Sequence, residues 1–401
     1  MQLFHVAGAL LLALGCAAQQ AVVGYLPEYR LGVVTDDVAR FEQRIAPRLT
    51  DLVLFSVQPR AKDGRLEGYR LLPLPAALRP GAPARAGGMR LLVSVGGAGR
   101  SEGFGAATAT GASTAAFAAE LAAFVVKHGF DGADIDWEYP ATPEQQRGFA
   151  RLLPAVRAAL DEAARGEAGG GGGASGGGGK RLLLLTAAVH GVGQPPLDAA
   201  AVAALDRVHL MSYDMAGGAD GHAPFGGATA AAEALLRGSA QAGAAPVPAA
   251  KLALGVPAYG RALAQAGEVK TWGELAREAQ PPPKRDVVRG FGATGVDGAA
   301  RKAAWARERG LAGVMFWEVG QDALPETGPA AAEQKCGAVP GSSCGGADDW
   351  SLLLAAHGGD PASPLHGAAR AARKAAVRAA KKARKARKAA RAGGHAAGDE
   401  L

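Results

Sequence analysis

The chain has 401 residues, 48% of them hydrophobic and only 5% aromatic, which is enough apolar material for one large core or two small ones. The formal charge of +7 is misleading: 11 Lys/Arg and no acids lie between Arg370 and Arg391, and without them the remainder carries −4. The body is mildly acidic and the basicity belongs to a tail, which excludes reading the whole protein as a polyanion binder.

Residues 6–14 form a short apolar run followed by Gly15, Cys16, Ala17 and Ala18. This predicts a signal peptide over residues 1–18, too short for a permanent membrane anchor, although Met1–His5 contains no Lys or Arg. Lipid attachment at Cys16 is an alternative, and no other segment is long and apolar enough to span a membrane. The leader predicts the secretory pathway, either outside the cell or in the endoplasmic-reticulum lumen, and no nucleic-acid partner is expected.

Residues 19–362 alternate strand-like apolar runs with Ala-rich helical stretches. The strands are expected at Ala21–Leu26, Asp51–Val57, Arg90–Val95, Gly132–Glu138, Arg181–Val189, Val208–Tyr213, Lys251–Pro257 and Ala312–Trp317, with helices such as Thr114–His128 and Pro143–Ala164 between them. Eight such units predict an α/β fold of the (β/α)8 TIM-barrel type. A doubly wound open sheet would more often carry a Gly-rich phosphate loop after its first strand, and here that strand runs into Tyr25-Leu26-Pro27-Glu28. The Gly-rich segment 169–179 reads as a flexible insertion on the N-terminal side of the barrel, without chemistry. Cys336 and Cys344 bracket a Gly/Pro/Ser loop and could close a small disulfide in an oxidising compartment; a zinc site would need more ligands. Residues 363–401 form an Ala/Lys/Arg-rich tail ending in Gly398-Asp399-Glu400-Leu401, which resembles a retrieval signal with Gly in place of the basic residue. The tail reads as solvated, with an anionic surface as a possible partner.

The most informative stretch is Phe130-Asp-Gly-Ala-Asp-Ile-Asp-Trp-Glu-Tyr-Pro140. In a strand, alternate side chains share a face, so Asp134, Asp136 and Glu138 should point the same way. Carboxylates so close repel one another and lose hydration together, so at least one should hold a proton near neutral pH. Acid/base catalysis and metal binding are the usual reasons for such a cluster. Calcium loops space their ligands along Gly-rich turns, which this apolar strand does not resemble, and no metal or cofactor is expected. Trp137 should pack outward against a helix. Asp131 reads as a structural hydrogen-bond acceptor.

The D-x-x-D-x-D-x-E spacing resembles the signature of glycoside hydrolase family 18, the chitinase family. Further matches stand in order at the expected strand ends: Tyr25, Ser94-Val-Gly-Gly97, Met211-Ser-Tyr-Asp214, Gly255-Val-Pro-Ala-Tyr-Gly-Arg261 and Met315-Phe-Trp-Glu318. The resemblance implies a retaining hydrolase of β-1,4-linked N-acetylglucosamine chains in which the substrate's own acetamido oxygen is the nucleophile. It implies Glu138 as acid/base, Asp136 on the acetamido N–H, and Asp134 sharing a proton with Asp136. Tyr25 and Ser94 would support Asp134, Tyr213 would hold the acetamido oxygen, and Asp214 would meet sugar hydroxyls. Trp317 would floor the central subsite, with Met211, Gly97, Tyr259 and Arg261 completing the substrate site.

Only about 50 residues separate Arg261 from the last strand, so a small insertion and a shallow cleft are expected. The expected partner is chitin or an N-acetylglucosamine-containing oligosaccharide, bound by a monomer. An endo-β-N-acetylglucosaminidase acting on N-glycans and a non-catalytic chitin-binding lectin are the alternatives. Such lectins typically lack the acid at the position that Glu138 fills.

Overall fold

The computed structural model describes residues 20–67, 69–169, 182–191, 196–215, 221–264, 267–279, 286–323 and 351–356. The leader, the two cysteines and the basic tail lie outside the described residues, as does most of the Gly-rich insertion. All eight expected strands form: β1 (Ala21–Pro27), β2 (Asp51–Pro59), β3 (Arg90–Gly96), β4 (Gly132–Asp136), β5 (Leu184–His190), β6 (Arg207–Met211), β7 (Leu252–Pro257) and β8 (Gly313–Trp317). Consecutive strands pair in parallel, and β8 closes on β1 with Ala21 opposite Gly313. The sheet is therefore a closed (β/α)8 barrel.

The helices follow from capping and apolar spacing. In α1 (Gly111–Lys127), the Thr110 hydroxyl accepts from the Ser113 N–H and the Ser113 hydroxyl accepts from the Thr110 N–H, a reciprocal cap. Phe117, Leu121, Phe124 and Val125 then form its buried face. In α2 (Pro143–Gly169), Phe149, Leu152, Leu153, Val156 and Leu160 do the same. Between β7 and β8 a small four-stranded antiparallel sheet forms from Tyr259–Ala262, Val269–Thr271, Val287–Val288 and Phe291–Gly292. The helix α3 (Trp272–Ala279) packs against it where Leu275 lies beside Gly260, and its Trp272 is fully buried. The insertion is as small as the sequence length requires.

Strand alternation divides the core in two. Outward residues such as Ile135, Leu185, Ala187 and Leu254 join the helices in the main core. Inward residues Val23, Tyr25, Val53, Leu92, Ala188, Met211, Ala253 and Met315 fill the barrel. The inward set also carries a column of polar side chains. At the bottom, the Asp51 carboxylate accepts from Arg90 Nη2 and Arg207 Nη1, both at 3.0 Å, and from the Thr50 hydroxyl at 2.7 Å.

Burial alone would raise the Asp51 pKa, but the charges of Arg207 and Arg90 and the Thr50 hydroxyl outweigh it and lower the pKa. The stabilisation is thus fully present above the unfolded-state value of about 3.9 and is lost as pH falls through the lower folded-state value. Asp51→Ala should cost about 2–3 kcal/mol at pH 7, at the low end for a broken buried pair because Arg90 is partly exposed. Urea denaturation at pH 7 should show this deficit, and the gap to the parent should narrow below about pH 4. An equal deficit at all pH values would mean that charge pairing is not the cause.

Candidate active site

The carboxylates climb from the barrel interior to its C-terminal mouth. Asp134 and Asp136 are both inward-facing on β4 and essentially buried. Glu138 differs from the expectation: β4 ends at Asp136, so Glu138 leaves the strand instead of continuing its alternation. Its N–H donates to the Ser101 hydroxyl at 3.0 Å, and the Ser101 hydroxyl donates to the Gly97 carbonyl at 3.0 Å. A loop hydrogen bond, not sheet pairing, sets the position of Glu138.

Asp134 is held by four strands. Oδ2 accepts from the Tyr25 hydroxyl at 2.8 Å and the Ser94 hydroxyl at 3.1 Å; Oδ1 accepts from the Thr186 hydroxyl at 2.6 Å and lies 3.3 Å from His209 Nδ1. Burial would raise its pKa, but the His209 contact, the Thr186 bond and the Tyr25 bond together lower it. Tyr25 and Ser94 were expected at Asp134 from the sequence, whereas Thr186 and His209 were not.

Asp136 has the opposite environment. Its Oδ1 is buried with no hydrogen-bond partner. Burial, reinforced by the charges of Glu138 and Asp134, pushes its pKa well above the carboxylate range. Among the hydrogen bonds of the described residues, none joins Asp134 to Asp136. Burial and the two neighbouring acids thus favour the protonated form at Asp136 over Asp134. Glu138 is also raised by burial, against hydrogen bonds from Tyr139 and the Ala98 backbone and the nearby His190.

The remaining sequence-predicted residues surround these acids. Trp317 ends β8 half-buried, its ring 5.7 Å from Tyr25 and 4.8 Å edge-on from Phe55. Tyr213 is buried, and its hydroxyl is 3.8 Å from the Met315 sulfur, a weak partner. Met211 is buried in the same inner cluster. Asp214 accepts two bonds from Arg261, at 2.5 and 2.8 Å, and lies 2.9 Å from His222 Nδ1. Burial would raise its pKa, but Arg261, His222 and Tyr259 lower it and keep it ionised. The Tyr259 ring packs 6.4 Å from Tyr213 and 4.8 Å from His222.

Outside the site, Asp131 accepts from the Leu91 N–H at 2.8 Å and from Arg85 at 2.7 Å, the structural role expected of it. Trp137 stacks outward on Phe104 and meets Phe149 of α2. A separate cavity of about 450 Å³, lined by Arg30, Thr271, Glu274, Arg277 and Gln321 among others, contains none of the three acids.

Residues 82–289 match glycosyl hydrolases family 18. The chain belongs to that family. This family 18 chain is 29% identical over 291 residues to Chitinase 1 of Aphanocladium album, covering 60% of this chain and 64% of that protein, so it spans less than two thirds of that relative's length. In fold it is similar to a GH18 chitinase from the chitin utilization locus of Flavobacterium johnsoniae, with TM-score 0.60 and 20% identity over 85% of this chain and 93% of that one. It is similar also to a plant class V chitinase mutant from Cycas revoluta in complex with (GlcNAc)3, with TM-score 0.57 and 22% identity over 75% and 96% of the two chains.

Gly97 shows why its motif needs glycine. Its φ is +95°, and a Cβ there would lie 2.2 Å from two Phe55 ring carbons and 3.4 Å from Asp136 Oδ2. The close approach is by a neighbouring side chain. Gly97→Ala should therefore cost about 2–4 kcal/mol through the strained φ and the displaced ring. Because Phe55 also abuts Trp317, urea denaturation followed by tryptophan fluorescence should show both lower stability and an altered native emission. Parent-like stability would mean that the Phe55 ring has room to move.

Proposed function

We propose that this chain is a chitinase-type glycoside hydrolase that cleaves β-1,4 bonds beside N-acetylglucosamine with retention, using the substrate's acetamido group as nucleophile. The observation that carries the reading is Asp136: a buried acid with one unpartnered oxygen, next to Glu138 and within the Tyr213–Trp317 surround. A buried polar atom without a partner is costly, and an amide N–H would relieve it.

Each role follows from the local chemistry. Glu138, half-buried with a raised pKa, is suited to protonate the leaving oxygen and later to activate water. As the acetamido oxygen attacks the anomeric carbon, the ring becomes a cationic oxazolinium. Asp136 then accepts a hydrogen bond from the N–H through its unpartnered oxygen and so stabilises the cationic ring. Asp134 stays anionic beneath it. The Tyr213 hydroxyl, with only a sulfur partner, is free to hold the acetamido oxygen in line, and the Trp317 face supports the sugar ring. Asp214, tied to Arg261, presents a fixed charged edge suited to sugar hydroxyls. An ordinary retaining enzyme needs a second carboxylate flanking the bond at about 5–5.5 Å. Here the acids succeed one another along β4 and the loop after it, which supports substrate assistance.

N-acetylglucosamine oligomers are the proposed substrates, with the small insertion favouring soluble chains. The same reading takes residues 1–18 as a secretory leader, Cys336 and Cys344 as a disulfide, and the basic tail as an adapter for anionic surfaces. Among the described residues, no helix is long and apolar enough to cross a membrane.

Glu138→Gln should lower kcat by at least about 10²–10⁴-fold while oligosaccharide affinity changes little, because shape and hydrogen bonding persist. Calorimetry with the variant and hydrolysis assays on chitin oligomers separate the two effects; near-parent turnover would remove Glu138 from the mechanism.

The nucleophile has its own test. A fully deacetylated oligomer of equal length should not be cleaved, since its amine has no carbonyl oxygen to form the cyclic ion. Comparable rates on acetylated and deacetylated chains would overturn substrate assistance.

A further inference from the structure

We propose that His209 is a positioning residue of the acid column: its Nδ1–H holds Asp134 as the charged member, so that the resident proton sits on Asp136 beneath Glu138. This rests on the catalytic reading above and adds to it the device that decides which carboxylate is ionised.

The geometry fixes the tautomer. His209 lies on β6, inward-facing and fully buried, two residues before Met211. Its Nδ1 is 2.8 Å from the Tyr25 hydroxyl oxygen and 3.3 Å from Asp134 Oδ1. The Tyr25 proton is already directed to Asp134 Oδ2 at 2.8 Å, so the Tyr25 oxygen faces His209 as an acceptor. Nδ1 thus meets two acceptors and carries the proton. Nε2 is buried with no hydrogen-bond partner, which favours a bare lone pair over an N–H with nothing to bind. The ring is then an Nδ1–H donor, edge-on to Tyr25 with centroids 5.7 Å apart.

The charged and titratable surroundings agree with this. Tyr25 faces the ring from β1 and Asp134 from β4. Asp136 and Tyr213 lie toward the mouth, and Arg207, Asp51 and Arg90 lie toward the closed end, where they neutralise one another in part. β5 contributes Thr186, which binds the same Asp134 oxygen, and β7 and β8 contribute the apolar Ala253 and Met315. Among the described residues, His209 is therefore the one nitrogen in polar contact with the Asp134 carboxylate, beside three hydroxyls. Without it, Asp134 would hold a proton more tightly and draw it from Asp136. Asp136 would become anionic and raise Glu138 by repulsion.

The test uses the full chain and two variants. His209→Asn keeps an N–H donor near the Nδ1 position; His209→Leu keeps bulk and removes the donor. Ring-nitrogen NMR of the parent should show protonated Nδ1 and bare Nε2. Both limbs of the kcat/KM pH profile should move upward by about half a unit or more in His209→Leu, roughly threefold in each ionisation constant, and stay near the parent in His209→Asn. Carboxyl-carbon NMR of free His209→Leu should show the proton transferred from Asp136 to Asp134. A bare Nδ1 in the parent, or unmoved limbs in a folded His209→Leu, would overturn the proposal. Should His209→Leu not fold, the parent ring state and the His209→Asn profile still decide it. The two readings fail separately: a parent inert on chitin oligomers but protonated at Nδ1 would sink the catalytic reading and leave the His209–Asp134 link standing.

Discussion

A carboxylate buried in a barrel must be solvated by the barrel itself, and the rest of this site follows from how Asp134 meets that demand. Strands β1, β3, β5 and β6 each aim one polar side chain at it: Tyr25, Ser94, Thr186 and His209. Four contacts replace its lost hydration and keep it ionised despite complete burial. That leaves the next acid along the strand with little support. Asp136 has no comparable set of donors and sits above a fixed negative charge, so its own charge is suppressed. The difference between two aspartates two residues apart comes from the neighbouring strands, not from their position on β4.

The same logic orders the whole inner column. Asp51 at the closed end has its pKa held low by two flanking arginines, and Asp134 by the four polar side chains around it. Glu138 at the mouth is half-exposed and held through its backbone by Ser101, so its side chain is less constrained than the acids below. Polar support for the column's acids is greatest deep in the barrel and thins toward the opening. A proton-exchanging group needs that freedom, and a group that only sets the field does not.

Much of this was legible in the sequence because a barrel strand is a strict period-two object. Apolar runs gave the eight strands nearly to their ends, and parity put Asp134 and Asp136 together on the inside. Parity failed at Glu138, because it holds only while the strand lasts and β4 stops at Asp136. Thr186 and His209 carried a usable signal: both are polar residues at inward positions within largely apolar strands, and His209 shares parity with Met211. Ser101 and Phe55 carried none. Ser101 acts through a loop backbone contact 37 residues away in sequence, and Phe55 matters because its ring occupies the space that Gly97 leaves. Contacts of that kind depend on three-dimensional closure, which no local pattern encodes.

The opposite wall follows a different principle. Asp214, Arg261, His222 and Tyr259 form a fully paired cluster in which the acid stays charged because a guanidinium grips both of its oxygens. Arg261 and Tyr259 belong to the insertion's first strand, Tyr259–Ala262, whereas Asp214 follows β6. The ion pair therefore fastens the insertion to the barrel rim. An insertion this small buries little apolar surface of its own beyond Trp272 and its neighbours, so a bidentate pair at the rim has more to contribute here than it would beside a large domain. The contact thus fixes the Asp214 carboxylate in a charge-paired cluster and ties the insertion's first strand to the segment after β6.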